Sequence, residues 1–343
     1  MYKFAVVIGR FQPFHLGHLK MLEKAFTVGE KVIVVLGSAR CARNIKNPFS
    51  TAEREEMIRS VLTPEQNAKV SITHVRDYYY NDNMWVAEIQ GRVRAIVGDC
   101  KNIAIVGHKK DNSSYYLTLF PQWPLEEHNS AGALNATDVR STYFGSKIFD
   151  RMPIDIQKNV LQVPPQVFDW LVEFAKRPEY DALVKEFEFI QAYKKLWESA
   201  PYPVHFVTVD AIVIKSGHVL VVKRKATPGK GLMALPGGFK NVDEKAIDGM
   251  FRELKEETGI KVMQKELRSA VREYKVFDHP GRSLRGCTIT HAYLLDLGNG
   301  ELPSVKGGDD AEHAFWLPLY DVLAREDEFF EDHAHIITSF MHK

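Results

Sequence analysis

Glu253, Glu256 and Glu257 stand at i, i+3 and i+4 within GFKNVDEKAIDGMFRELKEETGI, residues 238–260. On a helix that spacing gathers three carboxylates on neighbouring faces. Like charges so placed destabilise a bare helix. They become favourable when they share a hard divalent cation such as Mg²⁺, which prefers oxygen ligands. Such a metal can bridge a pyrophosphate and activate an attacking water, with Arg252 and Glu244 orienting the outer carboxylates. The competing reading is a solvated acidic helix, the usual meaning of a charge run. Against it stands a fit to G-x5-E-x7-R-E-U-x-E-E-x-G-U (U apolar) at every fixed position: Gly238, Glu244, Arg252, Glu253, Leu254, Glu256, Glu257, Gly259 and Ile260.

A second constellation lies near the other end, in Gly9-Arg10-Phe11-Gln12-Pro13-Phe14-His15-Leu16-Gly17-His18. A helix N-terminus binds anions through its free N–H groups and the positive end of its dipole. His15 and His18, one turn apart, can offer imidazole donors to a triphosphate there, and Gly17 lets the backbone approach the phosphates closely. Two other readings stay open. The histidines could bind a metal, although no third ligand lies nearby, or they could be surface residues.

These groups need elements to hold them. Phe4–Ile8 reads as a buried strand, followed by a helix through Leu19, Leu22 and Phe26. Val32–Leu36, Val70–Val75 and Ile103–Val106 read as further strands, and Thr51–Leu62 as a helix capped by Ser50 or Thr51. Strand–helix alternation of this kind predicts a parallel sheet with helices on both faces. From Pro153 to Lys195 the pattern is helical and charged, and Ser199 to Pro203 breaks it. Phe206–Ile214, Val219–Lys223, Thr288–Leu297 and His313–Leu317 then read as strands. Among them lies the acidic helix, with Asp243 as expected N-cap, Gly259 as its stop, and Ile247, Met250, Phe251 and Leu254 facing inward. The boundary is expected near residues 196–204. The fold class is therefore α/β: a Rossmann-like parallel-sheet domain followed by an α+β domain.

Composition narrows the classes. The apolar fraction is 45%, the charged fraction 26% and the net charge +1, so no basic field argues for nucleic acid. Cys41, Cys100 and Cys287 form no C-x-x-C, which gives no zinc or disulfide signal and suits a reduced compartment. The N-terminal KFAVVIG is too short for a signal-peptide core. Near Phe206–Ile214 the longest apolar run contains Asp210, so no membrane span is expected. A cytoplasmic protein is expected, and its oligomeric state, a homo-oligomer included, stays open.

The acidic signature resembles that of the Nudix hydrolases, which split a nucleoside diphosphate linked to another group. His15-x-Gly17-His18 resembles the H-x-G-H signature of adenylyl and cytidylyl transferases. Asn135-Ala-Thr137-Asp-Val-Arg140 resembles the S-x-T-x-x-R segment of nicotinamide mononucleotide (NMN) adenylyltransferases, with Asn135 replacing the usual Ser. The chain as a whole resembles the bifunctional NMN adenylyltransferase/Nudix hydrolases. That resemblance implies a transferase domain over 1–185, a linker over 186–203 and a hydrolase domain over 204–343. It implies ATP and NMN as substrates giving NAD and pyrophosphate, with His15, His18 and Arg140 catalytic. Gly9, Arg10, Phe11, Gly17, Gly107, Lys109, Asp111 and Thr137 would contact the nucleotides. Trp85 resembles a nicotinamide-stacking aromatic, which suits a pyridinium, although a core Trp is the alternative. Arg40, Arg43 and Lys46 form a basic loop that could reach phosphate or remain solvated. The second domain would hydrolyse ADP-ribose to AMP and ribose 5-phosphate. Glu253, Glu256, Glu257 and the Gly237 carbonyl would hold Mg²⁺ or Mn²⁺, one glutamate could also act as base, and Arg252, Arg282 and Arg285 would meet the substrate. The alternative is a transferase for another phosphorylated acceptor, fused to a ligand-sensing module or a dinucleotide pyrophosphatase.

Overall fold

The computed structural model describes residues 1–108, 112–128, 135–145, 154–308 and 311–341. It divides into two compact units, Met1–Phe187 and Glu188–Lys343.

The first unit runs β1 (Tyr2–Gly9), α1 (Leu16–Val28), β2 (Gly29–Ala39), α2 (Thr51–Ser60), α3 (Pro64–Lys69), β3 (Val70–Arg76), α4 (Asp82–Val97), β4 (Ile103–Gly107), β5 (Leu125–Glu127), α5 (Ala136–Phe144), α6 (Ile154–Leu161) and α7 (Pro165–Phe174), then α8 (Pro178–Lys195), within which the second unit begins. The sheet order is β3-β2-β1-β4-β5, every pair parallel. The continuous apolar run of β1 is explained by burial on both faces. Ala5 and Val7 join the core under α1, with Leu22 and Ala25, while Phe4, Val6 and Ile8 join the opposite core with Ile89 and Val93 of α4. The chain reverses its direction of travel across the sheet between β1 and β4, which opens a crevice at their C-terminal ends. Ser50 caps α2, accepting from the Glu53 N–H while Glu53 accepts from its own, the reciprocal arrangement expected of S-x-x-E.

The second unit runs β6 (His205–Lys215), β7 (His218–Arg224), β8 (Met233–Ala234), β9 (Gly237–Phe239), α9 (Ala246–Thr258), α10 (Gln264–Ser269), β10 (Val271–Phe277), β11 (Cys287–Asp296), β12 (Ala311–Pro318), α11 (Leu319–Ala324) and α12 (His333–Met341). Its sheet follows β10-β11-β6-β7-β12, with β8 on β7 and β9 on β6. The β6–β11 pair is parallel and the other pairs antiparallel. Met250, Phe251 and Leu254 of α9 pack on Val209, Ala211 and Val213, while Ile336, Ile337 and Phe340 of α12 cover Ile212, Val219 and Val221 on the other face. Gly259 ends α9 at φ 50, the left-handed position where glycine is favoured.

One expectation is corrected at the start of α9. Lys245, not Asp243, occupies the N-cap, and no side chain caps the helix. Glu244 lies outside the helix because its carboxylate is committed elsewhere. It accepts from the Asn241 N–H and from Arg252, and a Cβ on Gly249 would come within 2.7 Å of it.

Candidate active sites

At the crevice of the first unit, β1 ends in Gly9 and the chain turns through Phe11, buried and at φ 53. That conformation is uncommon for a bulky residue and is typical of functional turns. A Cβ on Gly9 would stand 3.0 Å from the Phe11 ring. The ring also meets His18 edge-on at 4.7 Å. His15 caps α1: its Nδ1 accepts the Gly17 N–H at 3.1 Å, and His18 Nδ1 accepts the His15 N–H at 3.3 Å. These bonds place the hydrogen of each neutral imidazole on Nε2. The rings stack 3.6 Å apart. Burial, then the charge of His15 and of Arg10, holds His18 well below the usual histidine range.

Arg140 is buried on α5. It donates to the Gln12 carbonyl at 2.7 Å and to Thr137 Oγ1 at 3.2 Å, and Asn135 caps that helix by accepting the Asp138 N–H. Burial, then Arg10, lowers Arg140 to about 10. Lys46 is lowered by burial and then by Arg10. The crevice thus gathers desolvated cations that repel one another, a field that a polyphosphate relieves. Arg43 is committed elsewhere, donating to both Glu53 oxygens. Trp85 is half-buried, and its ring packs 6.0 Å from Tyr116 and from Phe120. Gly107 ends β4, where a Cβ would stand 2.5 Å from Leu117. Lys109 and Asp111 lie outside the described residues.

Sequence reasoning missed Gln12 and Arg54. The Gln12 amide exchanges two hydrogen bonds with the Phe49 backbone, tying the signature loop to the loop after β2. Arg54 is 1% exposed and donates to the carbonyls of Arg10, Gly37 and Ser38. In the sequence TAEREEMIRS it looks like a member of a solvated charge run, so no local signal marks it. Replacing Arg54 by Ala strands these carbonyls. The expected loss is about 2–4 kcal/mol of first-unit stability, read as a lower urea midpoint; an unchanged midpoint would show that water satisfies them.

The second unit holds a cavity of about 460 Å³ lined by Asp210, Glu253, Glu257, Arg252, Arg282, Arg285 and His333, among others. Arg252 donates to both Glu244 oxygens, to Glu253 at 2.8 Å, to Glu256 at 2.9 Å and to the Phe239 carbonyl. The Arg252 hydrogen bonds pull Glu244 down to about 2. Glu257 accepts the Gly237 N–H at 3.0 Å, and burial pushes its carboxyl up to about 8. Asp210, which sequence reasoning also missed, is raised by burial to about 6 and accepts from Thr290. Glu256 does not line the cavity with the other two glutamates; its side chain is half exposed. Helix geometry explains this, since Glu256 stands about 100° around α9 from Glu257. Arg282, in the cavity lining, forms a buried bidentate pair with Asp332 at 2.9 and 2.8 Å. Arg285 lies over Phe239 at 5.5 Å and over Phe330 at 5.9 Å. His333 Nδ1 accepts the Leu235 N–H, and burial lowers this histidine to about 3.

A divalent cation suits the donor chemistry of this cavity more than the arrangement of its side chains. Among the described residues no three His, Cys, Asp or Glu side chains are gathered to enclose an ion, because Arg252 and Gly237 hold the glutamates. Yet Glu257, Glu253 and Asp210 are all raised, burial being the first cause in each. Carboxyls that resist ionising side by side are the groups a hard cation relieves. Gly238 leaves room for one, since a Cβ there would come within 2.7 Å of the Glu253 carboxylate.

Comparison with known proteins finds relatives for both halves of the chain. A nicotinamide/nicotinic acid mononucleotide adenylyltransferase of Acinetobacter baylyi is 42% identical over 153 residues, 44% of this chain and 81% of that one. An ADP-ribose pyrophosphatase of Methanocaldococcus jannaschii is 38% identical over 135 residues, 39% and 72% of the two chains. The crystal structure of a bifunctional NMN adenylyltransferase/ADP ribose pyrophosphatase from Francisella tularensis, complexed with AMP and a manganese ion, is 38% identical with a TM-score of 0.91, covering 99% of each chain. Fold and sites together define a two-domain nucleotide enzyme: the cytidylyltransferase-like model matches residues 6–93 and the NUDIX domain model residues 204–340. The chain belongs to the family of bifunctional NMN adenylyltransferase/ADP-ribose pyrophosphatases.

Proposed function

We propose that this protein both makes NAD and degrades ADP-ribose: residues 1–185 transfer AMP from ATP to NMN, and residues 204–343, after a linker over 186–203, hydrolyse ADP-ribose to AMP and ribose 5-phosphate. The observation that carries the reading is the presence on one chain of the His15–His18 crevice and the Glu253–Glu257 cavity, with 38% identity over 99% of the chain to a relative that bears both activities in its name. Free cysteines suit a cytoplasmic setting, and among the described residues no helix is long and apolar enough to cross a membrane.

In the first site a phosphate oxygen of NMN attacks the α-phosphorus of ATP in line, and the bond to pyrophosphate breaks. No covalent enzyme intermediate is needed, so positioning and charge neutralisation supply the rate. His15 and His18 offer Nε2–H donors, and Arg140, anchored on Gln12 and Thr137, presents the rest of its guanidinium to the phosphates. Arg10 and Lys46 add positive charge, and Trp85 offers a ring surface to the nicotinamide. Mg²⁺, when bound, adds neutralising charge to the polyphosphate.

In the second site Glu253 and Glu257, with Glu256 and the Gly237 carbonyl at hand, would hold Mg²⁺ or Mn²⁺, whose charge offsets that of the pyrophosphate. Arg252 keeps Glu253 oriented while Glu244 keeps Arg252 in place. One of these glutamates, ionised beside the cation, accepts a proton from the attacking water. Water then forms the new P–O bond, and the bridging oxygen leaves with one of the products.

Purified protein incubated with ATP, NMN and Mg²⁺ is expected to yield NAD and pyrophosphate. Incubated separately with ADP-ribose, it is expected to yield AMP and ribose 5-phosphate. Absence of NAD from the first mixture would sink the transferase assignment, and intact ADP-ribose in the second the hydrolase assignment.

A further inference from the structure

His333, the first residue of α12, is 7% exposed and lines the hydrolase cavity together with Asp210, Glu253 and Glu257. The Leu235 N–H donates to its Nδ1 at 2.8 Å, so the neutral ring carries its hydrogen on Nε2. That N–H makes no hydrogen bond to a described residue, and Nε2 is not among the polar atoms sealed away without a partner. The cavity is therefore what it faces. A donor drawn out of water without a partner is costly, and an acceptor that enters the cavity removes the cost.

Two further observations say which acceptor. Burial lowers His333 to about 3, with Arg282, Arg224 and Arg285 adding to it against Asp332. These three arginines line the same cavity, so the N–H is set where an anion is favoured. One backbone segment also fixes the imidazole and a carboxylate together. The Leu235 N–H holds His333, and the Gly237 N–H holds Glu257. Two residues of chain span at most about 7 Å, which brings both groups within reach of one diphosphate.

We infer that His333 is a catalytic residue of the hydrolase, its Nε2–H donating to a phosphate oxygen that gains charge as the diphosphate bridge breaks. The inference rests on the hydrolase reading above and deepens it. Water forms the new P–O bond and gives its proton to a glutamate. The bridging P–O bond breaks, and its electron pair stays on the departing phosphate. With a second pKa of about 6, that phosphate leaves as an anion at neutral pH and needs no proton. His333 thus gives a hydrogen bond and keeps its hydrogen. A neutral imidazole fixed in one tautomer does this with no reorganisation during the reaction.

The test uses the full-length protein with Mg²⁺ and ADP-ribose, and three changes at this position. A genetically encoded methyl group on Nε2 of His333 keeps the Nδ1 acceptor for Leu235 and removes only the donor. It is expected to lower kcat about 10²-fold, with KM within about threefold and the melting temperature unchanged. His333→Ala is expected to lose as much rate and to melt lower, because the Leu235 bond is lost as well. His333→Asn, whose amide can accept from Leu235 and also donate, is expected to recover most of the rate. NAD synthesis should stay at the parental level in all three. Parental kcat in the Nε2-methylated protein would make His333 a structural tie between Leu235 and α12 and overturn the inference. A raised KM with kcat unchanged would do the same, since it marks a contact no stronger in the transition state. So would a His333→Asn protein that melts with the parent and turns over as slowly as His333→Ala. A parent protein that leaves ADP-ribose intact would overturn the hydrolase reading itself, and this inference with it.

Discussion

Replacing Glu257 by glutamine is expected to lower kcat for ADP-ribose hydrolysis by about 10³-fold and, in the same protein without metal, to raise the melting temperature at pH 7.5. The two effects have one cause. Burial lifts the Glu257 carboxyl from the usual 4.5 to about 8, with the Glu253 charge adding to it against the Gly237 N–H. Below pH 4.5 folded and unfolded chains both hold this proton. Between 4.5 and 8 the unfolded chain releases it and the folded chain keeps it, so stability falls as pH rises through that window. At pH 7.5 the deficit is on the order of 4 kcal/mol, and a glutamine, neutral throughout and still able to accept the Gly237 N–H, escapes it. Melting curves in chelator at pH 5 and pH 7.5 read the difference, which should widen at the higher pH. Adding Mg²⁺ or Mn²⁺ should then stabilise the parent more than the variant, since a bound cation favours the ionised carboxylate. A variant that melts below the parent at pH 7.5 without metal would mean the carboxylate is already stabilised as an anion, and would remove the basis for assigning it to metal or proton transfer.

What could be read in the sequence was local. The apolar run of β1, the helix that follows the histidine signature, the start of α2 at Ser50 or Thr51 and the inward face of α9 depend on residues a few positions apart. Each appears in the structure as expected. What stayed hidden depends on distant partners. Arg54 reads as a surface charge until β1 and β2 bring the Arg10 and Gly37 carbonyls to it. Nothing local to Arg282 shows that Asp332, far along the chain, accepts from its Nε and one Nη. Strand β10 is masked by its own charges: Arg272, Glu273 and Lys275 interrupt VREYKVF, and only pairing with β11 shows the alternation. The acidic cluster was legible as chemistry and not as geometry. Spacing put three glutamates near one another, but the choice of Glu253 and Glu257 for the cavity depends on which face of α9 meets β6 and on Arg252 holding Glu256 outside.

His18→Ala is expected to lower NAD synthesis by about 10²–10³-fold while leaving ADP-ribose hydrolysis unchanged. His18 Nδ1 accepts the His15 N–H, so Nε2 carries the hydrogen offered to phosphate. Burial and the neighbouring cations keep the free ring neutral well below pH 6.5. It therefore serves the free enzyme as a hydrogen-bond donor, and its protonation should leave no inflection in kcat/KM between pH 6.5 and 8.5. Alanine removes the donor and also half of the reciprocal cap that starts α1, a loss of about 1 kcal/mol in stability. His18→Asn separates these effects. Its amide oxygen can accept the His15 N–H and its NH₂ can donate, so it should recover much of the stability and part of the rate. Because the rings of His15 and His18 stack, a charge on one disfavours a charge on the other, and the pair should act with at most one proton to spare until a polyanion arrives. Near-parental NAD synthesis by His18→Ala, with the fold intact, would remove the histidine pair from the catalytic site and leave phosphate binding to Arg10, Lys46 and Arg140.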